Sequence, residues 1–242
     1  MTLSPGILRL VEETGSTNAD LAAALRAGEM VPEGEWLIAR RQTAGRGRQG
    51  REWFDGAGNF MGSCVVRLSA GAPPPASLSF VAALAVRDTC AEALGSGDLL
   101  ALKWPNDVLL DGGKLSGILL EMVHGHVIVG VGVNLARAPQ VPGRKTAALA
   151  ELGPAPDLEH FAASLARHFI LRLADWRAFG LGVTLQAFLN GSIHAQGSAL
   201  GVHDAEGVKL SGTFAGLEET DGALRLRLAD GQERVIRAGD LD

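Results

Sequence analysis

The sequence predicts an α+β protein: a large domain in which strands and helices share one core, followed by a small all-β domain. Three observations predict it. Apolar stretches of strand length recur between residues 36 and 133. Two longer segments carry apolar residues at helical spacing. After about residue 195 the pattern changes to short alternating strands separated by Asp-Gly pairs. The division expected is 1–195 and 196–242.

Residues 7–12 read as a first strand, and a helix follows from about Asn18 to Ala27, closed by Gly28. Thr17-x-x-Asp20 resembles a capping box with Asp in place of Glu, which makes Thr17 the expected cap. Trp36–Arg40 reads as a buried strand leading into an Arg/Gly loop, and Asn59–Leu68 resumes the sheet. Ser77 opens a helix with Leu78, Val81, Leu84 and Ala85 on one face, ending at Gly95. Leu115–Val123 and Val127–Val133 are apolar strands joined tightly through His124-Gly125-His126. The last helix, Leu158–Phe179, spaces Phe161, Leu165, Phe169, Leu173 and Trp176 along one side, and Gly180 stops it. In the tail, Asp221-Gly222 and Asp230-Gly231 mark tight turns, because glycine takes the positive φ they require. About 45 residues are too few for a sandwich and suit a small SH3-like β-barrel.

The composition excludes several classes of function. The 242 residues are 47% hydrophobic and 20% charged, the balance of a globular protein with a sizeable core. A net charge of −5 gives no general attraction to nucleic acid, so an anion site must be local. No run approaches the roughly 18 apolar residues of a membrane helix, and Met1-Thr-Leu-Ser-Pro5 does not open a signal peptide. Cys64 and Cys90 fit no metal or redox spacing and read as buried reduced thiols. A cytoplasmic protein without a membrane partner is expected.

Residues 40–51, Arg-Arg-Gln-Thr-Ala-Gly-Arg-Gly-Arg-Gln-Gly-Arg, hold five arginines and no acid. In an acidic chain this is a local anion trap: glycines let backbone amides approach, and guanidinium forks grip phosphate. Trp53, just beyond, can stack on an adenine ring or cover the loop. Gly45-x-Gly47-x-x-Gly50 formally matches the dinucleotide fingerprint, but no helix opens after it and no acid follows a second strand. An RNA-binding Arg/Gly segment or a merely solvated loop are the other readings. The first is usually longer, repetitive and disordered, whereas this loop is bracketed by apolar strands.

Lys103-Trp104-Pro105-Asn106-Asp107 is a rigid kink, since Pro105 removes a backbone donor and cannot sit mid-strand. Asp107 can face a Mg²⁺ carried by nucleotide phosphates. Lys114 opens a strand after the Gly112-Gly113 turn, where it can point into a cleft and neutralise charge on a phosphate and a carboxylate; alone, it reads more readily as a surface turn lysine. No Walker loop is present. Gly130-Val-Gly-Val-Asn134 ends a buried strand, and Asn134 can reach a phosphate or a metal-bound water, or serve only as a turn residue. Ser16-Thr17-Asn18 sits at a helix N-terminus suited to a polar small molecule. His124-x-His126 lacks a third ligand for a metal.

Taken together, Ser16–Asn18, Gln42-Thr-Ala-Gly-Arg-Gly-Arg48, Gly50-Arg-Glu-Trp53, Lys103–Asp107, Lys114-Leu-Ser-Gly-Ile-Leu119 and Gly130–Asn134 resemble biotin–protein ligases, in the family's order. The resemblance spans residues 12–135, with a weaker likeness in the tail. It implies a class II aminoacyl-tRNA synthetase-like catalytic domain, with a mixed sheet and flanking helices. It also implies ATP-dependent formation of biotinyl-5′-AMP, then transfer of biotin to a lysine of a carboxylase's biotin carboxyl carrier domain, with Mg²⁺ as cofactor. Ser16, Thr17, Asn18 and Gln42 would line the ureido site. Arg46, Gly47 and Arg48 would belong to a loop over biotin and adenylate. Arg51 and Trp53 would approach phosphate and adenine, with Asn106 also on the adenylate side. Lys114 would sit between the biotin carboxylate and the α-phosphate, and with Arg48 would carry the catalysis. Asp107 and Asn134 would be metal-side groups.

Gln49 and Glu52 stand where some relatives carry basic residues. Some members also bear an N-terminal winged helix and act as repressors. About a dozen residues precede Glu12-Glu13-Thr14, too few for such a fold, so no DNA partner is expected. A homodimer, common in the family, is compatible with the resemblance. Lipoate–protein ligases, the sister group, carry an Arg-Arg…Gly-Gly-Gly pattern that is missing here.

Overall fold

Strands whose residues are apolar without alternation must be covered on both faces, and this requirement organises the protein. In the computed structural model, which describes residues 7–204 and 207–241, β3 (Phe60–Arg67) and β7 (His126–Val133) lie at the centre of a seven-stranded sheet of order β1-β2-β3-β7-β6-β5-β4. The remaining strands are β1 (Leu8–Thr14), β2 (Trp36–Gln42), β4 (Leu100–Lys103), β5 (Asp107–Leu110) and β6 (Gly113–Val123). The β1–β2 pair is parallel and the others are antiparallel, so the sheet is mixed.

Helices α2 (Leu78–Leu94) and α3 (Leu158–Phe179) cover one face. Trp36 meets Phe60 and Phe169 edge-on at centroid distances of 6.0 and 5.5 Å, a favoured aromatic geometry. Trp176 is fully buried and donates Nε1–H to Ser77 Oγ at 2.8 Å. The other face is covered only in part. Leu21, Ala22 and Leu25 of α1 (Thr17–Arg26) pack on Leu37, Val65, Ile128 and Val123. Beyond α1 that face carries glycines, and the functional site lies there.

The structure departs from the sequence reading at α1 and after Gly180. Ser16, not Thr17, is the N-cap, and it makes no side-chain capping bond. Thr17 is the first helical residue, and Asp20 instead accepts from Thr14 Oγ1 at 2.6 Å. A further helix, α4 (Leu181–Asn190), starts directly after Gly180. Gly182, Val183 and Thr184 are poor helix formers, so burial of Leu181, Leu185 and Phe188 decides its conformation; Phe188 meets Phe80 at 4.8 Å. His124 and Gly125 both take positive φ, as the tight hairpin between β6 and β7 requires.

The C-terminal segment forms a five-stranded antiparallel sheet consistent with the expected SH3-like domain. Its strands are β8 (Ala199–Asp204), β9 (Lys209–Leu217), β10 (Leu224–Arg227), β11 (Glu233–Ile236) and β12 (Gly239–Leu241), in the order β11-β10-β9-β8-β12. Its apolar side chains, Phe214, Leu224 and Leu226 among them, join the main core. The turn at Gly222 abuts Phe80 and Leu185, and its carbonyl accepts from Trp104 Nε1 at 3.0 Å. Among the described residues, no helix is long and apolar enough to cross a membrane.

Candidate functional site

The part of the sheet beyond α1 is flat where glycines take the place of side chains. Ser63 of β3 pairs with Gly130 of β7, and Gly130 with Leu119 of β6; one row on, Met61 pairs with Gly132 and Gly132 with Gly117. Gly117, Gly130 and Gly132 therefore make a floor. Trp53 lies across it: a methyl at Gly132 would overlap the indole, and one at Gly117 would stand 3.0 Å from Cζ3. The Trp53 Nε1 donor is buried without a partner.

One end of this strip is a neutral hydrogen-bonding box. Thr17, at the start of α1, donates its backbone N–H to Gln42 Oε1 at 2.7 Å, and its Oγ1 lies 3.1 Å from the same oxygen. Thr17 Oγ1 also lies 2.6 Å from Ser63 Oγ, and Ser63 donates to Asn18 Oδ1 at 2.6 Å. Asn18 Nδ2 donates to Glu121 Oε2 at 2.6 Å. The Asn18 amide rests on Gly130, where a methyl would overlap it. Ser16, Thr17, Asn18, Gln42 and Ser63 are all at least nine-tenths buried. Ser63 was not singled out from the sequence; the only signal was a small polar residue inside an apolar run.

The other end is charged. Lys114, at the start of β6, donates to Asp107 Oδ1 at 2.7 Å across the β5–β6 hairpin. Lys103 and Asp107 are paired at the end of the β4–β5 hairpin, so Pro105 occupies a turn as expected, and the Trp104–Pro105 peptide is cis. Arg48 reaches Asn106 Oδ1 at 3.1 Å, while Asn106 Nδ2 is tied to the Ile118 carbonyl at 2.7 Å. Lys114 also borders Gly117, so it lies beside Trp53. Burial pulls the Lys103 pKa down, partly opposed by the Asp107 charge.

The arginine loop splits into two groups. Arg40 and Arg41 belong to β2 and are neutralised by acids: Arg40 by Glu12 and Glu159, Arg41 by Glu13 and Asp55. Arg46, Arg48 and Arg51 lie further along the loop, where Asp240 is the acid that faces Arg48 and Arg51. Arg46 and Gly47 are in the loop itself, and Arg46 is solvent-exposed. Arg51 is bound to Asp240 of β12, and Arg48 donates to the Gly239 carbonyl at 3.1 Å. Burial acts to raise the Asp240 pKa, but the Arg51 hydrogen bond, with the charges of Arg51, Arg48 and Arg144, holds it below the usual carboxylate range. Lys103 Nζ donates to the Leu241 carbonyl at 2.9 Å. The C-terminal strand thus closes on the loop, a contact with no signal in sequence. A cleft of about 630 Å³ opens beside this end, lined by Arg51, Arg144, His203 and Asp240 among others.

Asn134 has a different surrounding from the one expected. It is 2% exposed, and its amide donates to the Ala147 and Lys114 carbonyls at 3.1 and 3.4 Å. Those bonds make its amide nitrogen a brace beneath the Lys114 backbone. Fully buried Asn59 extends the brace, accepting from the Ala136 and Arg137 amides and donating to the Arg137 carbonyl at 2.7 Å. Asn59→Ala strands those backbone groups and should cost about 1–3 kcal/mol. Thermal unfolding checks this, with a midpoint fall of roughly 2–4 °C per kcal/mol expected for a chain of this size. Among the described residues no group of three or more His, Cys, Asp or Glu could hold a metal. Asp107, held by Lys114 through one oxygen, keeps a second carboxylate oxygen that fits an ion delivered with nucleotide phosphates.

A model of the Biotin/lipoate A/B protein ligase family matches residues 14–134, the segment that builds this strip. The chain belongs to that family. It is 40% identical to the biotin–[acetyl-CoA-carboxylase] ligase of Paracoccus denitrificans, over 96% of this chain and 98% of that one. It is 43% identical to the ligase of the same name from Mycobacterium tuberculosis, over 70% of this chain and 65% of that one. In fold it is similar to the biotin protein ligase from Aquifex aeolicus in complex with biotin and ATP (TM-score 0.82, 24% identity, 98% and 97% coverage). The Leishmania major enzyme in complex with biotinyl-5-AMP gives TM-score 0.67 at 23% identity, with 97% and 100% coverage.

Proposed function

We propose that this protein is a biotin–protein ligase that joins biotin to ATP as biotinyl-5′-AMP and then passes biotin to a lysine of a carboxylase's carrier domain. The observation that carries the reading is the polarity of the strip. A neutral box of donors and acceptors stands at one end, an apolar floor under Trp53 in the middle, and Lys114 with Arg48 at the other end. Biotin has the same sequence of chemistry: a ureido ring, an apolar sulfur-containing ring and chain, and a carboxylate. Lipoate and octanoate share the last two parts but offer nothing to the box formed by Thr17, Asn18, Gln42 and Ser63, with Ser16 beside it.

In the proposed reaction the biotin carboxylate attacks the α-phosphate of ATP in line, and pyrophosphate leaves. Lys114 Nζ neutralises charge on both reacting groups, and Arg48 and Arg51 hold phosphate oxygens. A bound Mg²⁺, with Asp107 on its side of the nucleotide, would supply further charge neutralisation to the phosphates. Asn106 fixes Arg48. Arg46 and Gly47 act with Arg48 as a lid that keeps water from the mixed anhydride. The acceptor lysine's amine then attacks the anhydride carbonyl and AMP leaves. ATP as substrate and two buried free thiols, Cys64 and Cys90, favour the cytoplasm.

The test is to incubate the protein with biotin, Mg-ATP and a carboxylase carrier domain, and to weigh the carrier. A mass gain of one biotinyl group, abolished when the carrier's acceptor lysine is Arg, is expected. An unmodified carrier alongside normal biotin-dependent pyrophosphate release would place the acceptor elsewhere.

A further inference from the structure

Resting on the biotin reading above, we infer that Glu121 is a positioning residue that sets the direction of the hydrogen-bond chain in the ureido box. Glu121 is at the far end of β6 from Lys114, 103 residues along the chain from Asn18, and is itself exposed.

A carboxylate at neutral pH only accepts, so Asn18 must turn Nδ2 toward Glu121 Oε2, 2.6 Å away. Oδ1 then faces Ser63, and the single hydroxyl proton of Ser63 is drawn to it across 2.6 Å. The Ser63 oxygen is left as an acceptor, so the single Thr17 hydroxyl proton, which has Gln42 Oε1 at 3.1 Å and Ser63 Oγ at 2.6 Å to choose between, is drawn to Ser63. Gln42 Oε1 is held by the Thr17 backbone N–H at 2.7 Å, which leaves Gln42 Nε2 as a donor. Every hydroxyl and amide in the box acquires one orientation, polarised toward a charge at its edge. A ureido ring, with two N–H donors beside one carbonyl, needs acceptors and donors fixed in this way. Without the carboxylate the Asn18 amide can flip, and each hydroxyl proton has two destinations of similar energy.

Glu121→Gln keeps the shape and removes the directing charge. In biotin-dependent ATP–pyrophosphate exchange, the KM for biotin should rise about tenfold, the weight of one charge-assisted hydrogen bond. The KM for ATP and kcat should stay within about twofold, since those terms belong to the Lys114 end. The preference for biotin over the diamine analogue that lacks the ureido carbonyl should fall by a similar factor. Ser63→Ala should raise the biotin KM too, and the Glu121→Gln/Ser63→Ala double variant should lose no more than the worse single one, because both act through Asn18. A biotin KM unchanged in Glu121→Gln, or losses that simply multiply in the double variant, would overturn the assignment. So would a fall in kcat with both KM values, which marks general loosening of the fold. A wild-type protein inactive with biotin would instead sink the underlying biotin reading.

Discussion

Lys114→Ala is expected to lower biotin-dependent pyrophosphate exchange by two to three orders of magnitude while the protein remains folded. Lys114 stands at the junction of the glycine floor and the Arg48 side, 2.7 Å from Asp107. In the proposed reaction a carboxylate approaches a phosphate, and two anions must come within bonding distance. A preorganised charge aimed at that point is worth roughly 3–4 kcal/mol in a water-poor site. The Lys114 side chain is one-third exposed, so little core packing is lost. The Lys114 backbone would keep its bonds to Lys145, Ala147 and Asn134. Circular dichroism and the thermal midpoint should match wild type. Exchange within a few-fold of wild type would remove Lys114 from the reaction centre.

The second large effect is expected from an uncharged residue. Gly132→Val places a branched side chain on the floor where the Trp53 indole lies. Valine suits a strand, and the β3–β7–β6 ladder needs only the backbone. In the proposed complex biotin takes the place of the Trp53 indole on this floor, and it would meet methyl groups where it needs a flat surface. Overpacking of this kind costs about 1–3 kcal/mol, read here as a ten- to hundred-fold rise in the KM for biotin. Tryptophan fluorescence should report displacement of Trp53. An unchanged KM would show that biotin does not cross Gly132.

Much of this was legible in sequence because it depends on local patterns. Unbroken apolar runs marked β3 and β7, Asp-Gly and His-Gly pairs marked turns, and the six motifs in order marked the family. What was not legible depends on meetings between distant segments. The acids that neutralise Arg40 and Arg41 include cross-strand neighbours on β1, and nothing in residues 40–51 reveals them. Asp240 reaches Arg51 from 189 positions away. The side chain of Asn134 looked available beside glycines, but the Lys145–Ala148 segment folds over it and uses its amide. Thr17 read as a cap because helix starts favour threonine; its hydroxyl is engaged by Gln42 and Ser63 instead. Helix α4 escaped notice because its helicity comes from packing against Phe80 rather than from propensity.

The central claim is that the strip reads a ligand by a neutral polar head at one end and a carboxylate at the other. ATP–pyrophosphate exchange measured separately with biotin, lipoate and octanoate tests it most directly. Exchange with biotin and little with the other two is the result this structure leads us to expect. Equal exchange with octanoate would contradict it, because an acid without a ureido ring would then satisfy a site whose Thr17, Asn18, Gln42 and Ser63 had nothing to hold.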